Sequence, residues 1–168
     1  EAGFVSSLPY LMHFILSALG GVFCDWLITR GTLSKVSARK SFMIFALLVP
    51  GFLLVSCGYA TDWHSALVYM ILSVGLAGFS HSGASSNYLE ISTNLGGTLF
   101  SIGNTFASIP GMVSPVLTGI ILDRHGCVAS KQSLCQSAYQ EVFWVSLAVQ
   151  IFGSVFYGLF ATTDIVLQ

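Results

Sequence analysis

Five stretches of this chain, 2–24, 41–61, 63–89, 91–122 and 142–163, contain no Asp, Glu, Lys or Arg. Each is long enough to cross a lipid bilayer, whose hydrocarbon core takes about 20 helical residues at about 1.5 Å of rise apiece. Lipid offers the backbone no hydrogen-bond partner, so runs of this length must satisfy their own N–H and C=O groups as helices. The chain is therefore expected to be all-α, a polytopic membrane helix bundle with spans at about 7–27, 41–59, 65–89, 97–122 and 141–161. Its partner is a lipid bilayer. Only 8% of the residues are charged, against roughly a quarter in soluble domains. The net charge of -1, without any block of like charge, gives nucleic acid nothing to bind.

The charges between the spans set an expected orientation. Arg30, Lys35, Arg39 and Lys40, four of the six basic residues, fall in a polar loop at 29–40. The positive-inside rule places that loop in the cytoplasm. Alternation then puts 123–140 outside and the C-terminus inside. Cys127 and Cys135 share that outer loop, where a disulfide can persist; spacing alone leaves their pairing open. No C-x-x-C pair and no His/Cys cluster suggests a metal site. The chain opens on Glu1 and is expected to enter its first span almost at once, without a signal peptide or transit sequence ahead of that span. Many transporters are built from paired repeats, so five spans are expected to be a fragment or truncated product of something larger.

Polarity inside the spans narrows the function. Gly103, Ala107, Gly111, Pro115 and Gly119 recur at every fourth position of the fourth span, a stripe of small residues that would admit another helix closely. Pro110 and Pro115 interrupt its hydrogen-bond ladder and predict a kink. A tightly packed structural helix and a helix that bends during a transport cycle both fit. The third span carries Gly75, Gly78 and Gly83, then His81, Ser82, Ser85, Ser86 and Asn87; the fourth adds Asn104, Thr105 and Ser108. Facing lipid they would be costly, so they line a hydrated pathway or act as hydrogen-bond glue between helices. His13, towards the outer end of the first span, is either a proton-coupling group or a packed histidine. Glu90 reads as a solvated carboxylate at the inner end of the third span. At the inner end of the first span, Gly21 and Asp25 share a helix face, and Arg30 follows. An acid there can pair with a basic side chain or a neighbouring helix N-terminus, a contact that can be broken and remade as an inner latch.

These residues bring a family into view. Gly21-x-x-x-Asp25 followed by a basic loop with Arg30 resembles the signature of the major facilitator superfamily, with Trp26 standing where a basic residue is usual. The strings Gly3-Phe4-Val5-Ser6-Ser7-Leu8-Pro9-Tyr10-Leu11, 36–40 and Gly103-Asn104-Thr105-Phe106-Ala107-Ser108-Ile109-Pro110-Gly111 resemble its anion:cation symporter branch, which holds sialin, the vesicular glutamate transporters and the sodium/phosphate cotransporter-like proteins. The resemblance covers essentially the whole of 1–168. It implies a major facilitator fold, the five spans matching helices eight to twelve of twelve, with the first helix of the C-terminal half absent. It implies no cofactor, a coupling ion that is H+ or Na+, a small anionic substrate (phosphate, sialic acid or an acidic amino acid), and a plasma, lysosomal or vesicular membrane. It also implies a missing N-terminal half as partner, holding most of the anion-binding arginines and proton-linked residues. No basic residue is expected within a span here to offset an anion. The rival reading is a non-transporting membrane scaffold or adhesion protein, which the buried polarity does not suit. No nucleophile–base pair supports an enzyme.

Overall fold

The computed structural model describes residues 2–82, 95–127 and 132–161. In these residues the chain forms five helices: α1 (Ala2–Thr29), α2 (Lys35–Gly58), α3 (Trp63–Ala77), α4 (Gly96–Arg124) and α5 (Gln132–Phe160). Four of them are long and apolar enough to cross a membrane, while α3 is a 15-residue apolar helix. Past Ala77 the helix is interrupted by a turn at 78–79 and resumes at 80–82, with Gly78, Phe79, His81 and Ser82 each donating to the carbonyl three residues back. The rest of the expected third span, including Gly83, Ser85, Ser86, Asn87 and Glu90, lies outside the described residues.

Two expected loops are shorter than their polarity suggested. The basic segment at 29–40 is mostly helix, because Ser34 caps α2 by accepting from the Ser37 N–H at 3.2 Å, which draws Lys35, Arg39 and Lys40 into the helix. What remains is the turn 30–34, with Gly31 at φ +72, a left-handed conformation that glycine adopts without strain. At the opposite end, 132–140 is the first part of α5 rather than loop. Its glutamines explain the gain. Gln140 donates to the Gly58 carbonyl at 3.0 Å, and Gln136 donates to the carbonyls of Gly58 and Ala60 at 3.3 and 3.4 Å. The last carbonyls of α2 would otherwise lack partners.

Packing divides the bundle into two close crossings. α1 lies along α3, where glycines let the backbones meet: a methyl group on Gly78 would sit 2.7 Å from the His13 carbonyl oxygen, and one on Gly75 2.9 Å from Met12. Gly20 meets Phe79 in the same way. α2 lies along α5, with Gly51 against Leu147 and Gln150, and Gly58 against Phe143 and Gln140. α2 also packs on α3, and buried Ser73 donates to the Pro50 carbonyl at 2.9 Å. A small core of Cys24, Ala38 and Phe42 closes the basic end, with Leu27, Ile28, Leu33 and Phe79 around it.

α4 stands apart, packing chiefly on α5. Within it, Ala107, Pro110, Gly111, Pro115 and Gly119 are exposed and Gly103 is half-buried. A side chain added at Gly111 or Gly119 would meet nothing within 4 Å. The close helix approach expected along this stripe is therefore not made among the described residues; spacing puts small residues on one face without saying what covers it. Large apolar side chains such as Phe14, Val22, Phe106, Met112, Phe152 and Leu159 point outward, as befits a surface facing lipid or further helices.

Candidate functional site at the basic end

Three helix ends converge on one guanidinium. Arg39, in the second turn of α2, is buried, with 6% of its surface exposed. Its Nη1 donates to the Ser82 carbonyl at 2.8 Å and lies 3.4 Å from the Cys24 thiol; its Nη2 donates to Asp25 Oδ1 at 3.4 Å. Asp25 and Cys24 belong to α1, Ser82 to the segment that follows α3. One planar fork of donors thus joins three segments, a task that suits arginine better than lysine. The Asp25 side chain is 66% exposed, so the pair has one wet and one dry member. Ser82 is itself buried, and its hydroxyl has no partner among the described residues.

The basic side chain that reaches Asp25 is Arg39. Arg30 instead lies over the Trp26 ring, 4.2 Å from its centroid, exposed and turned away by the Gly31 turn. Arg39 sits buried in a helix because α2 begins at Lys35, ahead of its uncharged run at 41–61. Gly21 is half-buried, and a side chain built on it would touch nothing within 4 Å; its neighbour Gly20 is the glycine that the α1–α3 contact needs.

The other candidates fall into separate places. His13 and His81 come together, their rings edge to face with centroids 5.6 Å apart, and His13 Nδ1 is 2.8 Å from the Val74 carbonyl. On α4, Thr105 and Ser108 donate to the carbonyls of Ser101 and Asn104 in their own helix, each at 2.9 Å, and with Asn104 they face outward. Among the described residues they do not glue helices together. Cys127 and Cys135 are joined in a disulfide, with Cα atoms 4.7 Å apart. Beside it His125 Nε2 lies 2.7 Å from Glu141 Oε2.

No family model matches the chain. Individual proteins do. Human (Homo sapiens) sialin is 34% identical over 166 residues, 98% of this chain and 32% of sialin. Vesicular glutamate transporter 1 of Bos taurus is 30% identical over 98% of the chain and 28% of its own length. Sodium-dependent phosphate transport protein 3 of Mus musculus is 30% identical over 98% of the chain and 33% of its own length. These relatives match the anion:cation symporter branch of the major facilitator superfamily, the branch that the sequence motifs resemble. The chain spans about a third of the length of the curated relatives it matches. Similarity to these transporters, together with four helices long and apolar enough to cross a membrane, supports an integral, multi-pass membrane protein.

Arg39 is the residue that sequence reasoning missed. A signal was there: Arg39 belongs to the 36–40 string that carries the resemblance, and Phe42 and Ala46 follow it at helical spacing. Reading the segment as a charged loop hid it.

Proposed function

We propose that the chain forms the C-terminal part of a secondary active transporter that moves small organic or inorganic anions by alternating access, driven by an H+ or Na+ gradient. The observation that carries this reading is the similarity, along 98% of the chain, to sialin and to proteins named for vesicular glutamate transport and sodium-dependent phosphate transport. In this reading the rest of the machine corresponds to the remaining two thirds of the relatives' length.

The Arg39 cluster has a task in such a cycle. A conformational switch needs contacts strong enough to hold one state and local enough to release together. Arg39 ties α1 and α2 to the end of α3 at one edge of the bundle, and exposed Asp25 is the member that water or another helix can reach. Loss of the Asp25 contact loosens Arg39 from a site where its charge is already poorly hydrated. In this reading the basic end is cytoplasmic and the disulfide end luminal or extracellular, in keeping with the positive turn and with the compartments where disulfides persist.

Transport is tested by reconstituting the full-length protein in liposomes under an H+ or Na+ gradient and following labelled sialic acid, glutamate, urate and phosphate. Saturable, gradient-dependent uptake of at least one anion is expected. Uptake of none of them, by protein that is folded and correctly oriented, would overturn the reading.

A further inference from the structure

α1 and α2 both pack on α3 but only lightly on each other. At the basic end this leaves a groove of about 510 Å³ along α1, lined by Leu16, Leu19, Val22, Phe23 and Trp26, with Phe79 contributed by the turn after α3. Phe79 sits between the two helices. Its ring lies against Gly20 of α1 and packs on Phe42 and Phe45 of α2, with centroids 5.9 and 5.5 Å away. Every lining side chain is apolar or aromatic, and Leu19, Val22, Phe23 and Trp26 are exposed, so the groove opens to the side of the bundle.

A cation closes one end of it. Leu16, Leu19, Phe23, Trp26 and Arg30 follow one another at steps of three and four residues, which keeps them on one helix face. Arg30 prolongs the last turn of α1, its N–H donating to the Trp26 carbonyl at 3.1 Å, and its guanidinium lies 4.2 Å from the centre of the Trp26 ring. Arg30 is exposed, and among the described residues no carboxylate pairs with it. Residues 24–40 hold four basic side chains and one acidic one, Asp25, which Arg39 already engages.

Length and charge together select the occupant. From Leu16 to Trp26 the helix rises about 15 Å, half of a hydrocarbon core about 30 Å thick, and so the depth of one leaflet. Trp26 then stands at the level where indole rings meet lipid headgroups, and Arg30 stands just beyond it. An apolar helix laid in the groove would match its walls and leave the cation unmatched; a phospholipid matches both. We propose that the groove binds one anionic phospholipid of the leaflet at the basic end, an acyl chain lying along Leu16–Trp26 and the headgroup phosphate pairing with Arg30. The site rests on the membrane orientation read above, in which the basic end faces the cytoplasmic leaflet that carries anionic lipid. It does not rest on transport. Phe23 also packs on Phe42, with centroids 6.0 Å apart, so the bound chain lies one ring away from the core of Cys24, Ala38 and Phe42.

Photo-cross-linking tests the site on the full-length protein in nanodiscs made mainly of phosphatidylcholine. The probes are phosphatidylserine and phosphatidylcholine, each carrying a photoreactive diazirine in an acyl chain, and the labelled residues are located by peptide mass mapping. Phosphatidylserine should label 16–26, and excess unlabelled phosphatidylserine, but not phosphatidylcholine, should suppress the labelling. Arg30→Gln should lower the preference for phosphatidylserine about fivefold, the effect of the about 1 kcal/mol that one basic side chain contributes near an anionic surface. Arg30→Lys keeps the charge and should keep most of the preference, and Arg124→Gln, at the opposite end of the bundle, should keep all of it. Equal labelling by the two lipids would show ordinary boundary lipid and overturn the proposal. So would undiminished preference in Arg30→Gln, or an absence of label on 16–26, which would mean that another helix of the full-length protein covers the groove. Selective labelling in a protein that moves no anion would support the lipid site and reject the transport reading.

Discussion

Arg39 and Asp25 share a hydrogen bond but not an environment, and the difference decides what each substitution does. Asp25 is two-thirds exposed, so its pairing contributes no more than about 1 kcal/mol to stability. Arg39 is buried and satisfies the Ser82 carbonyl as well. Removing it leaves a buried acceptor without its donor and a void beside Cys24 and Phe42, a loss of about 3 kcal/mol. Asp25→Asn should therefore leave expression and thermal stability near wild type while impairing transport, because it shifts the balance between conformational states. Arg39→Ala should lower the melting temperature several-fold more than Asp25→Asn does. Melting curves of the two variants, read beside their uptake rates, check both statements; equal loss of stability would show that the pair acts as one structural unit.

At the scale of the helices, the glycines separate contact from spacing. Gly78 faces the backbone of His13 at a distance no methyl group can share, so Gly78→Ala must push α1 and α3 apart, at about 1–3 kcal/mol. Gly111→Ala meets open space and should be tolerated by the elements described, provided that no helix from the rest of the protein covers α4. Thermal stability of the two variants measures the contrast; a Gly111 variant as damaged as the Gly78 one would place another helix on that face. The sequence announced the five helices because charge is excluded from lipid, and that exclusion is visible residue by residue. Boundaries were less legible. Lys35, Arg39 and Lys40 look like loop by charge, yet one serine cap makes them helical. Asp25 stood out, but its partner lies 14 residues on, and which cation reaches it is set by the Gly31 turn rather than by distance along the chain. The stripe of α4 was legible as spacing and silent about what it packs against.

For the whole molecule, the two ends of the bundle face different compartments in this account. The disulfide between Cys127 and Cys135, eight residues apart in sequence, should add about 2–3 kcal/mol of stability by restricting the unfolded chain. Applied to sealed vesicles, a membrane-impermeant reductant should open it only from the luminal or extracellular side. Reduction from the cytoplasmic side would invert the topology. The central claim is that this part of an anion transporter opens its Arg39 cluster during the cycle, and Cys24 reports on it directly. Its thiol is wholly buried beside Arg39, while Cys57 is half-buried at the other end of α2. The alkylation rate of Cys24 in the full-length protein should be measured at rest and during gradient-driven anion uptake. The account predicts an inert thiol at rest that becomes reactive during turnover, and reactive even at rest in Asp25→Asn. A Cys24 that stays equally inert while the protein transports anions would contradict it.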